Sequence, residues 1–66
     1  MPKKREKMIN LTIARIKKGM SQYELAEKVG VYKQVISGYE CGQHFPRVEM
    51  LKKLAQALDC EIKDII

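Results

Sequence analysis

The sequence predicts an all-α domain made of short helices, and three observations predict it. Gly19, Gly30, Gly38, Gly42 and Pro46 punctuate the chain at short intervals. Between them lie runs of good helix formers whose apolar residues recur at three- and four-residue steps. No stretch alternates apolar and polar side chains as a half-buried strand would.

The elements follow in order. Residues from about Arg5 to Lys18 favour a helix, which Gly19 can stop in the left-handed region behind Lys17 and Lys18, cations suited to a helix C-terminus. Ser21 with Glu24 three residues on forms a capping box that opens a second helix from Gln22 to Val29, and Gly30 breaks it. Lys33 to Glu40 form a third helix with Ile36 and Tyr39 on one face, ended by Cys41 and Gly42. Pro46 suits the entrance of a fourth, in which Val48, Leu51, Leu54, Ala55 and Leu58 make an apolar stripe opposite Glu49, Lys52, Lys53 and Gln56. Glu61 to Ile66 have room for little more than one turn, with Ile62, Ile65 and Ile66 facing inward or toward a partner.

Size and charge bound the function. Sixty-six residues make one domain, 1–66, and a chain this short hides only about 60% of the surface its unfolded form exposes. Hydrophobic residues are 45% of the chain, too many for a disordered tail, yet no apolar run approaches the ~20 residues that cross a bilayer. Thirteen basic against eight acidic residues give a net charge of +5, concentrated before residue 34, where a polyanion would dock. A membrane partner is not expected.

Chemistry is sparse. Cys41 and Cys60 could form at most one bridge, and no apolar leader segment opens the chain, so a reducing cytoplasm is the expected location. Two isolated cysteines and the single His44 lack the paired spacing of a zinc site. His44 has no Ser, Cys or acid arranged beside it for catalysis, and there is no room for a pocket, an acid-base pair or a cofactor loop. An enzyme, a cofactor and a small-molecule ligand are all unexpected. Cys60 reads as a small buried hydrophobe and Cys41 as the more exposed thiol.

Residues 21–42 read S-Q-Y-E-L-A-E-K-V-G-V-Y-K-Q-V-I-S-G-Y-E-C-G, two short helices joined at Gly30. Ala26 supplies the small residue where such helices touch, Gly30 the residue that tolerates a positive φ, and Leu25, Val29, Val31, Ile36 and Tyr39 the core between them. This pattern resembles a helix-turn-helix. With A-R-I-K-K-G-M-S-Q before it, E-C-G-Q-H-F-P after it and L-K-K-L-A-Q-A-L-D behind, the chain is similar, over about residues 8–66, to the Cro and phage-repressor type, the XRE-like family of bacterial and phage regulators.

The resemblance implies a compact five-helix bundle of the lambda repressor-like kind, with the third helix in the major groove of double-stranded DNA. It places Lys33, Gln34 and Ser37 against base edges, and their chemistry suits guanine, adenine and either base respectively. Gly38 occupies the same reading surface where relatives often carry a longer side chain. Gln22 matches the family's phosphate-contacting glutamine, with Tyr32, Gln43, His44 and Arg47 along the flanking backbone. Arg15 and Glu40 resemble a structural ion pair tying the first helix to the end of the third. The implied function is a repressor that binds an inverted repeat as a homodimer, with Ile62, Ile65 and Ile66 as its dimer surface. An antitoxin or bridging-type module that keeps the frame but binds a protein is the alternative.

Three features depart from a plain reading. Tyr32 stands where relatives commonly have a capping Ser or Thr, so the third helix is expected to start without a side-chain cap. Ile9, Ile13 and Ile16 form a stripe roughly opposite Leu11, Ala14 and Lys18, and either cover Ile65 and Ile66 or join a subunit interface. The basic arm Pro2, Lys3, Lys4 and Arg5 reads as a solvated tail, with a groove-reaching arm as the alternative.

Overall fold

The computed structural model describes residues 7–66; the basic arm, Pro2 to Arg5, lies outside them. Four α-helices are present: α1 (Ile9–Lys17), α2 (Gln22–Val29), α3 (Lys33–Cys41) and α4 (Val48–Ala57). The expected fifth helix is a single 3-10 turn, Ile62–Asp64. Its bonds are the short-range kind, with the Asp64 N–H donating to the Glu61 carbonyl at 2.9 Å and the Ile65 N–H to Ile62 at 3.0 Å.

All four helices stop in the same way. A residue with positive φ follows each, at Gly19, Gly30, Gly42 and Asp59, the last being the one non-glycine among the described residues to adopt it. At the end of α2 the Val31 N–H donates to the Ala26 carbonyl at 2.9 Å and the Gly30 N–H to Glu27 at 3.3 Å, the paired bonds of a Schellman motif. Gly30 sits at φ +79°, where a Cβ would strain the backbone, and the reversal lets α3 leave at an angle to α2. The start of α2 is equally local: the Glu24 N–H donates to Ser21 Oγ at 3.0 Å and the Ser21 N–H to Glu24 Oε1 at 2.8 Å.

The core takes one fully buried aliphatic from each helix and one from beyond the turn: Leu11, Leu25, Ile36, Leu54 and Ile65. Met8, Ala26, Val29, Tyr39, Leu51, Ala55 and Leu58 complete it. Burying a side chain of this size is worth about 1.5–3 kcal/mol, so these few residues carry the fold. Met8 also explains why α1 begins at Ile9 and not near Arg5: Lys7 and Met8 are non-helical, and Met8 turns its side chain into the core. Its carbonyl accepts the first bond of the helix, from the Thr12 N–H at 3.2 Å.

Two expectations about packing fail. Val48, placed on the apolar stripe of α4, is 61% exposed because the first turn of the helix projects past the core. Ile65, expected at a subunit surface, is completely buried, since the 3-10 turn folds it under the bundle; Ile62 is half-buried and Ile66 exposed. The stripe of Ile9, Ile13 and Ile16 stays on the surface and takes no part in the core. No helix among the described residues is long and apolar enough to cross a membrane.

Candidate nucleic-acid interface

Helix α3 starts at Tyr32 in extended backbone with no side-chain cap, as its sequence predicts, and Tyr32 itself stands 81% exposed. The uncapped first turn leaves its backbone N–H groups and the Lys33 ammonium together, a combination that attracts phosphate or the acceptor edge of guanine. Lys33 and Gln34 are exposed, and Ser37 is half-exposed one turn farther on, its Oγ 4.0 Å from the Cys41 sulfur. Three of the four residues expected to read bases therefore share an accessible strip.

Gly38 does not join them as a contact residue. It is buried, because the His44 imidazole lies over it. A Cβ at this position would come within 2.6 Å of His44 Nε2. The ring also meets Tyr39 edge-on, with centroids 5.0 Å apart and planes at 84°, and its Nε2 lies 3.4 Å from the Val35 carbonyl oxygen. His44 remains exposed on its other side, between exposed Gln43 and Arg47. The loop holding these residues is anchored where the Gln43 N–H donates to the Gly38 carbonyl at 2.9 Å, and Arg47 stands in extended backbone at the N-cap of α4.

Beneath the strip lies the expected ion pair. Arg15 Nε donates to Glu40 Oε2 at 2.7 Å and Nη2 to Oε1 at 3.2 Å, a paired geometry with side chains only 12% and 7% exposed. Arg15 Nη1 donates to the Met20 carbonyl at 2.8 Å, so one guanidinium ties α1, the loop before α2 and the end of α3. Burial pushes the Glu40 carboxyl up, but hydrogen bonds from Arg15 and Gln22, the Arg15 charge and the Thr12 hydroxyl together outweigh it and hold it below the ordinary value of 4.5.

Gln22 belongs to this network, which the sequence did not indicate. Its Nε2 donates to Glu40 Oε1 at 3.0 Å. One amide hydrogen is thereby used, while the other and the carbonyl oxygen have no partner among the described residues. Contact with Glu40, eighteen residues away, leaves no local mark; the only signal was that Gln22 and Glu40 both recur in the motif the chain resembles.

The thiols play no part in the strip's geometry beyond Cys41 beside Ser37. Both cysteines are free; Cys41 is exposed and Cys60 half-buried against the core. Burial raises the Cys60 thiol, with Asp64 and Asp59 adding to the effect. Among the described residues no group of His, Cys, Asp and Glu could hold a metal ion.

The arrangement of α2, the left-handed turn at Gly30 and α3, with an outward polar row, matches a family model described as helix-turn-helix over residues 11–65. The chain belongs to the helix-turn-helix family. An uncharacterized HTH-type transcriptional regulator of Methanothermobacter thermautotrophicus is 44% identical over 48 residues, covering 71% of this chain and 70% of that protein. Multiprotein-bridging factor 1 of Candida glabrata is 38% identical over 64 residues, 94% of this chain but only 42% of that protein, so the chain spans less than half of this relative. Among solved structures, the restriction-modification controller protein C.AhdI from Aeromonas hydrophila superposes with a TM-score of 0.81 at 35% identity, covering 86% of this chain and 83% of that one. The family is thus the Cro- and repressor-like branch of transcription regulators that the motif resembles.

Proposed function

We propose that the domain is a sequence-specific regulator that binds double-stranded DNA as a homodimer on an inverted repeat, with α3 in the major groove, and acts as a repressor in the cytoplasm without catalytic activity. The observation that carries this reading is the accessible row of Lys33, Gln34 and Ser37 on the second helix of a helix-turn-helix. In that pose the start of α2 meets phosphate, where Gln22 keeps one amide hydrogen free. Repression asks least of a DNA-binding domain, since occupancy of an operator is enough. A two-fold axis would pair the half-sites about one helical turn apart, with exposed Ile66 and half-buried Ile62 at the subunit contact.

The likeness to a multiprotein-bridging factor supports a second reading, in which the same frame serves mainly as a protein-binding module. The two separate cleanly. Selection from a randomised duplex pool at ~150 mM salt, where non-specific phosphate binding is weakened, enriches an inverted repeat if the first is correct. Gln34→Ala then costs about 1–3 kcal/mol on the selected site and little on unrelated duplexes. A folded protein that enriches nothing and binds the pool only at low salt refutes the regulator reading and favours the bridging one.

A further inference from the structure

The place of His44 has a consequence for how bases are read. Gln34 and Gly38 are one helical turn apart, so residue 38 is the next station after Gln34 on the same face of α3. A side chain there would continue the reading row, and none exists. Instead the imidazole of His44, delivered by the loop after α3, lies over the Gly38 Cα in the space such a side chain would fill.

We propose that His44 is a base-reading residue, with Gly38 as its seat, and that it supplies from the loop the side chain that α3 lacks. This rests on the DNA-binding reading given above. The chemistry of the contact follows from the ring's other bonds. A carbonyl oxygen accepts only, so the nitrogen facing Val35, Nε2, is the donor in that contact, and Nδ1, in the tautomer where it carries no hydrogen, is the acceptor the ring offers. In the major groove an acceptor selects an exocyclic amino group, which is N6 of adenine or N4 of cytosine. His44 therefore reads a base pair adjacent to the one met by Gln34 and prefers a strand that presents A or C there. Tyr39 holds the ring edge-on, and the Gln43-to-Gly38 bond holds the loop, so the imidazole reaches the groove already placed.

The test is a set of affinities for the selected operator and for duplexes in which each base pair of the half-site is changed in turn. For His44→Ala, the preference at one base pair beside the Gln34 site falls by about 3- to 10-fold, the loss of a single hydrogen bond, while the other positions and the salt dependence are unchanged. Gly38→Ala keeps the imidazole but denies its seat, and flattens the same position. The double variant is no worse than either single one, because both remove the same contact. Thermal melts monitored by circular dichroism establish that each variant is folded.

A loss spread evenly over all sequences, a reduced salt slope without change at any one base pair, or retained preference in Gly38→Ala each overturns the assignment. Failure of the wild-type chain to prefer any sequence is a different result. It removes the regulator reading itself and the role of His44 with it.

Discussion

Replacing Glu40 by alanine tests the network that joins three elements. The substitution leaves the Nε and Nη2 donors of Arg15 without their carboxylate in a site where that side chain is only 12% exposed, and strips the Gln22 amide of its acceptor at the same time. Among the described residues only the Met20 carbonyl still accepts from the guanidinium. Removing one partner of a buried pair typically costs about 3–5 kcal/mol, because a charge is left in a poorly solvated place. A domain of 66 residues has roughly 3–10 kcal/mol in total, so the variant falls to the edge of folding.

Urea and thermal unfolding by circular dichroism measure the effect, and the melting temperature falls by at least ~12 °C. Arg15→Met with Glu40→Leu removes both charges and recovers most of the loss, since an apolar pair of similar size suits the site nearly as well. A cost for Glu40→Ala below ~1 kcal/mol, the range of exposed ion pairs, would refute the reasoning.

Acid acts on the same carboxyl. Its folded value lies below the unfolded one, so its stabilisation is fully present above the unfolded value of about 4.5 and is lost as pH falls through the lower folded value. Stability measured from pH 7 downward therefore declines below pH ~5 in the wild type, and Glu40→Gln makes that decline shallower. Ile65→Ala costs about 2–5 kcal/mol because the side chain is fully buried, whereas Ile66→Ala, at 58% exposure, changes monomer stability by less than ~0.5 kcal/mol; denaturant titration distinguishes them. At Gly30 nothing lies within 4 Å of the place a methyl group would take, so Gly30→Ala meets no clash and its cost comes from φ +79° alone, about 1–2 kcal/mol in the same assay.

How much of this was legible depended on the range of each interaction. The bounds of α2 are those the sequence predicts, because Ser21, Glu24 and Gly30 act within a few residues of themselves. Helix α3 runs one residue beyond its expected end, to Cys41, since the stop signal is Gly42. The Arg15–Glu40 pair was accessible only through the family resemblance, being twenty-five residues apart. The burial of Ile65 and the exposure of Val48 are decided by where the 3-10 turn and the start of α4 fall against the core, which periodicity does not reveal. His44 over Gly38 was hidden for another reason. A glycine in a helix reads as a missing side chain, and nothing in the one-dimensional pattern says that a ring from a later loop takes its place.

The bond from Gln22 to Glu40 has a bearing on affinity beyond the contact it suggests. A glutamine free in solution samples many rotamers, and fixing a side chain of this kind at an interface costs about 0.5–1.5 kcal/mol. Here the amide is already held at 3.0 Å by a carboxylate that is itself clamped by an arginine. The ordering is done when the chain folds, before any duplex arrives. If Gln22 meets phosphate as proposed, folding stability and binding strength are coupled through one carboxylate: a change that loosens Glu40 would also return Gln22 to its rotamers and weaken association, even on a phosphate that Glu40 never touches.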